Sequence, residues 1–338
     1  GRAARAAWGI MENEMFVETD KAARAAEDDE EDDEDWSDLQ RFQNFIASQH
    51  PLRRLVCVRG LEETVRALPV NDAIEGVLKL LDQACEDDES SVRDALAAQL
   101  APALKDLLPR ALPDEVSKLV QAVWPLSLAL LKDKDQQVRA VAEDGVIEYA
   151  PLLPRNLLES PILESVLEMS RQDAEDQRIT SMKLLGEFSF ALGPELVMRR
   201  VAPEVVSLAG DSMFRVRKAA ALYIGKICRW SPKGFAVSDL LPIYLQLAED
   251  EIWGVRKACA EALPDVAASL PPEARIDKVL PLFDALATDV SRWVRNSAFQ
   301  HLGSLIANLS GEEVSPRLLQ FYSSMASGKG AGGASDNE

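Results

Sequence analysis

Histidine is nearly absent from this chain, which has two histidines, His50 and His301, among 338 residues. The sequence contains no HExxH metal motif, P-loop, GxGxxG turn or nucleophile elbow. His301 falls within an apolar stripe, which indicates a packed side chain, and none of the 56 acidic residues stands out as a catalytic pair. We therefore expect no catalytic residue, no metal site and no cofactor, and a protein that is not an enzyme.

Long apolar runs are also missing, and no uninterrupted run reaches the length needed to span a bilayer. The first seven residues begin without Met and lack the apolar core of a signal peptide, which favours a fragment or a trimmed amino terminus. The four cysteines have no CxxC spacing and are interpreted as buried free thiols of a reducing compartment; they are Cys57, Cys85, Cys228 and Cys259. We expect a cytoplasmic or nuclear location without membrane contact.

Aromatic residues make up 6% of the chain, whereas 47% of the residues are apolar. Its core must therefore consist mainly of Ala, Leu and Val, which favours close-packed helices over a sheet sandwich.

The negative charge is unevenly distributed. The net charge is −19, but nine acids form one run, Glu27–Asp35, and residues 199–300 contain 14 Lys and Arg against 12 Asp and Glu. The sequence predicts a disordered acidic segment at residues 1–35, a helical array at 36–325 and a flexible tail rich in Gly and Ser at 326–338. A chain with this overall charge and no large basic face is not expected to bind nucleic acid.

The clearest positive feature is an internal repeat. The segment Asp250–Glu261, which contains Trp-Gly-Val-Arg-Lys, has similar segments that begin at Asp211 and Asp289, so the period is about 39 residues. An arginine near the start of each such segment marks the repeat, and these marker arginines are Arg54, Arg93, Arg139, Arg178, Arg217, Arg256 and Arg295. The one spacing that differs, between Arg93 and Arg139, is longer, and a longer loop around residues 108–113 is expected to absorb the excess.

Each repeat is predicted to contain two helices, the second of which carries the marker arginine. A proline in the first helix precedes four of the markers at a constant distance, and its missing N–H is tolerated in a first turn; the prolines are Pro125, Pro203, Pro242 and Pro281. The fold class is all-α, an α-solenoid (superhelix) of about seven helix pairs, with the second helices expected to line its concave wall.

An acid precedes most marker arginines by six residues and predicts a ladder of charge-assisted hydrogen bonds between repeats. The predicted pairs are Asp87 with Arg93, Asp133 with Arg139, Asp211 with Arg217, Asp250 with Arg256, and Asp289 with Arg295. The functional alternative is a row of arginines that bind anions.

The turn before each second helix contains side chains that the core does not explain. In repeats five to seven these are aromatic and basic, the residue types that protein interfaces concentrate at their energetic centres. The candidate partner-binding residues are Phe214, Arg215, Lys218, Trp253, Lys257, Arg292 and Trp293. The alternative is that each tryptophan simply packs against the neighbouring repeat.

A two-helix unit of this length, with Asp at the turn and Val-Arg opening the second helix, resembles the HEAT repeat. The segments at residues 213–218, 253–261 and 291–303 are similar to HEAT-repeat regulatory subunits of phosphatase 4, within the PP2A-like phosphatase scaffold family. This resemblance implies a scaffold that binds the catalytic subunit of a serine/threonine phosphatase (phosphatase 4 type) and phosphoprotein substrates. A HEAT-repeat adaptor of another class, such as a transport receptor or assembly scaffold, is the alternative.

Overall fold

The computed structural model describes residues 36–326, and all regular secondary structure within them is helical. The predicted acidic segment at residues 1–35 and residues 327–338 of the predicted tail lie outside the described residues. The chain divides into two compact units, the first ending at Tyr149 and the second beginning at Ala150. None of the described helices combines the length and apolar character needed to cross a bilayer.

The first unit contains eight α-helices and two short 3-10 segments among its described residues. The α-helices are α1 (Asp38–Ile46), α2 (Pro51–Arg59), α3 (Leu61–Ala67), α4 (Val70–Gly76), α5 (Leu81–Cys85), α6 (Ser90–Leu107), α7 (Pro113–Leu130) and α8 (Gln136–Tyr149), and the 3-10 segments are Leu78–Leu80 and Leu108–Arg110.

The second unit continues the helix pairs. Its α-helices are α9 (Arg155–Leu157), α10 (Glu164–Met169), α11 (Glu175–Leu196), α12 (Ala202–Ala209), α13 (Phe214–Arg229), α14 (Lys233–Phe235), α15 (Leu241–Ala248), α16 (Trp253–Ser269), α17 (Pro272–Ala274), α18 (Leu280–Ala287), α19 (Arg292–Ala307) and α20 (Pro316–Ala326). A 3-10 segment at Ala150–Leu152 begins the unit, and π-helical segments occupy Leu158–Leu163, Val197–Val201, Ala236–Leu240 and Arg275–Val279.

The expected all-α solenoid class is confirmed, and all seven marker arginines lie near the start of a second helix. These second helices are α2, α6, α8, α11, α13, α16 and α19. In α13 the stripe formed by Val216, Ala220, Ile224 and Ile227 is fully buried, as the helical spacing of the apolar residues predicts.

The prediction that a longer loop absorbs the excess length of the third repeat is wrong. Only residues 111 and 112 separate the 3-10 turn Leu108–Arg110 from α7. The additional length lies mainly in the preceding second helix, because α6 and this 3-10 turn continue to residue 110, and α7 is itself a long helix. Pro113 starts α7 at a position where a proline needs no N–H partner.

The repeated prolines do sit in first turns in three of the four repeats, but each follows a π-helical segment. Pro203, Pro242 and Pro281 are the second residues of α12, α15 and α18, and the π segments end two residues earlier. Since proline cannot donate to the carbonyl one turn back, the helical hydrogen-bond pattern shifts locally. Pro125 differs, because it lies inside the continuous helix α7.

Near the starts of neighbouring second helices in the second unit, three contacts join positions 40 residues apart, one more than the sequence period. The Arg215 side chain bonds to Glu175, the Ser297 hydroxyl donates to the Lys257 carbonyl, and the Trp253 and Trp293 rings stack. Further along these helices the spacing is different, because Lys226 bonds to Glu187 at a separation of 39 residues and Arg229 bonds to Asp265 at a separation of 36.

Gly225 is required by this close packing. A Cβ at Gly225 would lie 2.9 Å from the Asp265 Cβ and 3.3 Å from the Ala262 carbonyl oxygen, closer than side chains normally approach. At Gly303 the nearest atom would be a Tyr322 ring carbon at 3.7 Å, an ordinary contact.

We expect Gly225→Ala to lower the free energy of unfolding by about 1–2 kcal/mol, because overpacking outweighs the helix propensity that alanine gains. Gly303→Ala should raise it by up to about 1 kcal/mol. Urea denaturation of both variants, followed by circular dichroism, measures the difference. Equal changes in the free energy of unfolding for the two variants would show that the neighbouring helix leaves room for a Cβ at Gly225.

The last described helix, α20, packs on the end of the seventh pair. The Phe321 ring lies 5.6 Å from the Phe299 ring and 6.2 Å from the Phe283 ring, measured between centroids. The Glu313 carboxylate, just before α20, accepts two hydrogen bonds from Arg275 at 2.7 and 2.9 Å.

Candidate partner-binding site

The marker arginines form a repeated set of hydrogen bonds, here called the ladder, which Arg217 illustrates. Its Nε and Nη2 donate to the two carboxylate oxygens of Asp250 in the next repeat at 2.6 and 3.1 Å. Its Nη1 donates to the backbone carbonyls of Asp211 and Ser212 in its own turn. The Asp250 carboxylate also accepts the backbone N–H of Ile252 at 2.9 Å, so both partners are fixed on several sides.

The same two-pronged pairing recurs in four further places, always from a marker arginine to the aspartate of the following repeat. The pairs are Arg54 with Asp87, Arg93 with Asp133, Arg178 with Asp211, and Arg256 with Asp289. The carboxylate of each aspartate thus accepts hydrogen bonds from the marker arginine of the previous repeat. The arginine six residues later instead donates to the backbone carbonyl of the same aspartate, not to its carboxylate. Arg139 and Arg295 also make the backbone contact, to Asp133 and Asp289.

These contacts keep the ladder charged. Burial alone raises the pKa of Asp250, but hydrogen bonds from Arg217 and the Ile252 N–H outweigh it and hold that pKa below its ordinary value. At Asp289 the Arg256 hydrogen bond is the largest influence and lowers the pKa despite burial. Guanidinium groups held in this way have their donors engaged, which argues against a row of anion-binding arginines.

The candidate partner-binding residues lie on the first turns of α13, α16 and α19, next to the ladder. Phe214, Trp253 and Trp293, here called the aromatic edge, keep 42%, 47% and 49% of their surface exposed. Trp253 and Trp293 nevertheless stack on each other, with ring centroids 6.5 Å apart and planes 29° apart. Each tryptophan therefore packs on the neighbouring repeat and also presents about half of its surface to solvent.

The four basic candidates fall into two pairs. Arg215 is held by Glu175 at 2.5 Å and lies 3.7 Å from Asp176, and Lys257 forms an ion pair with Glu261 one turn along its own helix. Lys218 and Arg292 are exposed, and no acidic side chain within residues 36–326 pairs with either. The Arg292 guanidinium instead lies over the Trp293 ring at 4.7 Å, a cation–π contact. Only two of the four basic candidates, Lys218 and Arg292, therefore carry a positive charge that no acidic side chain of residues 36–326 pairs with, fewer than the sequence predicts.

Gly254 interrupts the aromatic edge and was not among the sequence candidates. A Cβ at Gly254 would meet only the Ile252 side chain, at 3.9 Å, so the space beside it is open.

A second exposed aromatic pair lies at the opposite end of the second helices. Phe190, on α11, and Trp230, directly after α13, have ring centroids 6.0 Å apart. Both rings are exposed to an extent similar to the aromatic edge, at 49% and 42%. Sequence reasoning missed them because they fall outside the marker-arginine segments.

The cysteines of the described residues are not activated thiols. Cys57, Cys228 and Cys259 are buried free thiols and Cys85 is half-buried. Burial raises the pKa of Cys57 to about 12 and that of Cys85 to about 11, which keeps both protonated and unreactive at neutral pH. Within residues 36–326 no three His, Cys, Asp or Glu side chains are grouped to hold a metal ion. What this surface offers is contact area, stacking and a few charges, which suit recognition.

Comparisons with known proteins agree with this fold. The family described as PPP2R1A-like HEAT repeat matches residues 235–310, which include α16 and α19. Comparison with curated protein sequences yields no significant match.

Among solved structures, Kap95p bound to RanGDP is similar over 86% of this chain and 37% of its own, with a TM-score of 0.62 and 17% identity. Karyopherin Kap121p bound to Nup53p gives a TM-score of 0.61 and 14% identity over 86% of this chain and 32% of its own. Kap121p bound to the extreme C-terminus of the protein phosphatase Cdc14p gives 0.59 and 13% over the same shares. The chain spans about a third of the length of these proteins, and its fold is a solenoid of HEAT repeats.

Proposed function

We propose that the chain is a non-catalytic regulatory or scaffold subunit of a serine/threonine protein phosphatase of the phosphatase 4 type. In this proposal it binds the catalytic subunit, phosphoprotein substrates, or both through its helix pairs, in the cytoplasm or the nucleus, and supplies no catalytic group. The observation that carries it is the aromatic edge, which lies in and next to the repeats that match the PPP2R1A-like HEAT repeat.

The chemistry of this edge fits the binding of a protein. Large, rigid side chains lose little conformational freedom on binding and bury much apolar area, so exposed Trp and Phe are common anchors at interfaces. The ladder fixes the backbone on which the edge stands, because each turn that carries an edge residue is held by an arginine on one side and an aspartate on the other. A rigid edge binds more tightly than a mobile one.

The test is co-precipitation of a phosphatase 4-type catalytic subunit with the wild-type chain and with Trp253→Ala plus Trp293→Ala. We expect the double variant to lose about a hundredfold or more in affinity, since two anchor side chains are removed. The matched control is Phe190→Ala plus Trp230→Ala, which removes an equally exposed aromatic pair at the other end of the helices. Full binding by a folded Trp253→Ala plus Trp293→Ala variant would exclude docking through the aromatic edge.

A transport receptor is the second candidate, and the similarity to Kap95p and Kap121p favours it as strongly as the family match favours the phosphatase subunit. The two are separated by running the same co-precipitation with a small GTPase of the Ran type in its GDP and GTP forms. Binding of the GTPase in place of the catalytic subunit would support the transport candidate and contradict the phosphatase proposal.

A further inference from the structure

The first helix pair, α1 and α2, exposes apolar side chains that later repeats keep covered. Val56 keeps 62% of its surface exposed, and Leu52, one turn earlier on α2, is also exposed. The residue at the place of Val56, two after the marker arginine, keeps 8% or less in five of the six later repeats, at Ala95, Thr180, Ala219, Ala258 and Ser297. The Ser297 hydroxyl donates to the Lys257 carbonyl on the preceding second helix, so a preceding repeat supplies this cover. The surface around Val56 and Leu52, here called the first-pair face, has no such repeat before it among the described residues.

A groove of about 290 Å³ opens on the first-pair face between α1, α2 and α3. Its apolar lining consists of Phe42, Phe45, Val56 and Cys57. Pockets for whole small molecules have volumes of about 300–1,000 Å³, so this groove suits one or two inserted side chains of a peptide segment. We propose that residues 8–17 of this same chain bind the first-pair face, place bulky side chains in the groove and thereby cap the helical array.

Residues 8–17 have the composition that such a groove requires. They contain all the large apolar side chains of residues 1–35, namely Trp8, Ile10, Met11, Met15, Phe16 and Val17. Trp8, Met11, Met15 and Phe16 stand at positions i, i+3, i+7 and i+8, which is the spacing of one helical face. Amphipathic segments with this spacing bind apolar grooves, and two aromatic side chains bury a large apolar area when they do so. A terminal repeat also needs cover for its apolar face.

The position of the segment along the chain brings it to this face. The described residues begin at Trp36, and Asp38 at the start of α1 already lines the groove. Residues 18–35, which include the acidic run, connect Val17 to Trp36. A stretch of this length spans up to about 60 Å when extended, so it can reach the groove. As a tether it also keeps the segment at a high effective concentration beside the first-pair face.

The charged side chains at the groove do not oppose this segment. The lining contains Asp38, Arg41 and Glu63, so both signs of charge are present. Neither Asp38 nor Glu63 forms an ion pair with another described residue. The segment and the residues before it also carry both signs, at Arg2, Arg5, Glu12 and Glu14. Apolar composition and connection to α1 therefore select the occupant, and charge permits it.

A second copy of the chain, stacked end to end, is the other occupant to consider. It would bring Arg295, the last marker arginine, to the first-pair face, but Ser48 stands there at the place of a ladder aspartate. The Ser48 backbone carbonyl accepts the Arg54 Nη1 at 2.9 Å, as the ladder aspartates do for their own arginines, yet its side chain offers no carboxylate. On the seventh pair, moreover, α20 already packs against Phe283 and Phe299. Both observations favour the chain's own segment.

Disulfide trapping in the full chain tests this assignment. Met11→Cys is combined with Val56→Cys, the chain is mildly oxidised, and peptide mass spectrometry identifies the joined thiols. The control combines Met11→Cys with Leu112→Cys, because Leu112 is also 62% exposed but does not line the groove. We expect about tenfold more intramolecular disulfide at position 56 than at position 112, since the bound segment is held beside the groove. Equal yields at the two positions, or a disulfide that joins only separate chains, would overturn the proposal.

Hydrogen exchange of the full chain is the second measurement. Trp8→Ser plus Phe16→Ser should speed backbone exchange at residues 52–64 about tenfold, because the first-pair face then loses its cover. The control, Ala22→Ser plus Ala25→Ser, changes the same part of the chain outside the apolar segment and should leave exchange unaltered. Unchanged exchange in the Trp8→Ser plus Phe16→Ser variant, with its helical circular dichroism intact, would contradict the cap. The cap is independent of the partner that the aromatic edge binds, so its failure is separate from failure of the co-precipitation.

Discussion

Arg93→Met is expected to lower the free energy of unfolding of the first unit by about 3–5 kcal/mol. Arg93 and Asp133 are the most buried ladder pair, with 4% and 7% of their side-chain surface exposed, and they share two hydrogen bonds. Methionine keeps most of the volume of the arginine stem but leaves the Asp133 carboxylate buried without its partner. The large loss of stability comes from the buried, unpaired charge of Asp133. An apolar pair of similar volume at both positions could be as stable as the ion pair.

The control for this prediction is Arg229→Met, which breaks an ion pair with Asp265 of the same 2.7 Å length. Its side chains are 52% and 46% exposed, so water replaces the lost contact and the expected cost is below about 1 kcal/mol. Hydrogen exchange read on peptides from residues 90–130, and on the corresponding peptides around residue 229, reports each unit separately. Similar costs for the two variants would contradict the structural role assigned to the ladder.

Glu313→Gln is expected to destabilise the second unit by about 2–3 kcal/mol at pH 7, and by progressively less as the pH falls below about 4. The Arg275 hydrogen bond lowers the pKa of Glu313 from its ordinary value near 4.5 to about 2, and its side chain is 2% exposed. A carboxyl group whose pKa is lower in the folded than in the unfolded state stabilises the fold. This stabilisation is complete when the pH is above the unfolded-state pKa, and it is lost as the pH falls toward the folded-state pKa. The wild-type and variant curves should therefore converge between about pH 4.5 and 2.

Urea denaturation at a series of pH values between 7 and 2.5 measures this convergence, and the neighbouring Glu312→Gln is the matched control. Glu312 is exposed and forms no ion pair within the described part of the chain, so its variant should follow the wild type at every pH. The lowered pKa values of Asp87, Asp133, Asp250 and Asp289 add a further loss of wild-type stability in the same direction. A difference between Glu313→Gln and wild type that stays constant with pH would contradict the role of the Arg275 pair.

The sequence period predicted the helix pairs because equivalent positions recur at a constant spacing, and each marker arginine indeed lies at the start of a second helix. A period identifies equivalent residues, but it does not identify contacts. Facing positions near the starts of adjacent second helices are 40 residues apart, and without that offset neither the Arg215–Glu175 pair nor the Trp253–Trp293 stack can be predicted from the sequence. The Lys257–Glu261 pair, by contrast, is readable from its spacing of four residues.

Three other features of the structure could not be predicted from the sequence, each for a different physical reason. The extra residues of the third repeat extend α6 and the following 3-10 turn, and within this extension Leu104 and Leu107 at the end of α6 stay buried. The Arg275–Glu313 pair lies outside the repeated segments, so no register pointed to it. Exposure of Trp253 and Trp293 also required the structure, since a stacked pair and a solvent-facing pair have the same sequence pattern.

The measurement that most directly tests the central claim is hydrogen exchange of the intact chain with and without a phosphatase 4-type catalytic subunit. The claim is that the ladder holds the fold while the aromatic edge binds the partner. We expect added protection on the first turns of α13, α16 and α19, near residues 213–219, 252–258 and 291–297. Protection confined to the second exposed aromatic pair, Phe190 on α11 and Trp230 directly after α13, or no change in protection on addition of the catalytic subunit, would contradict it.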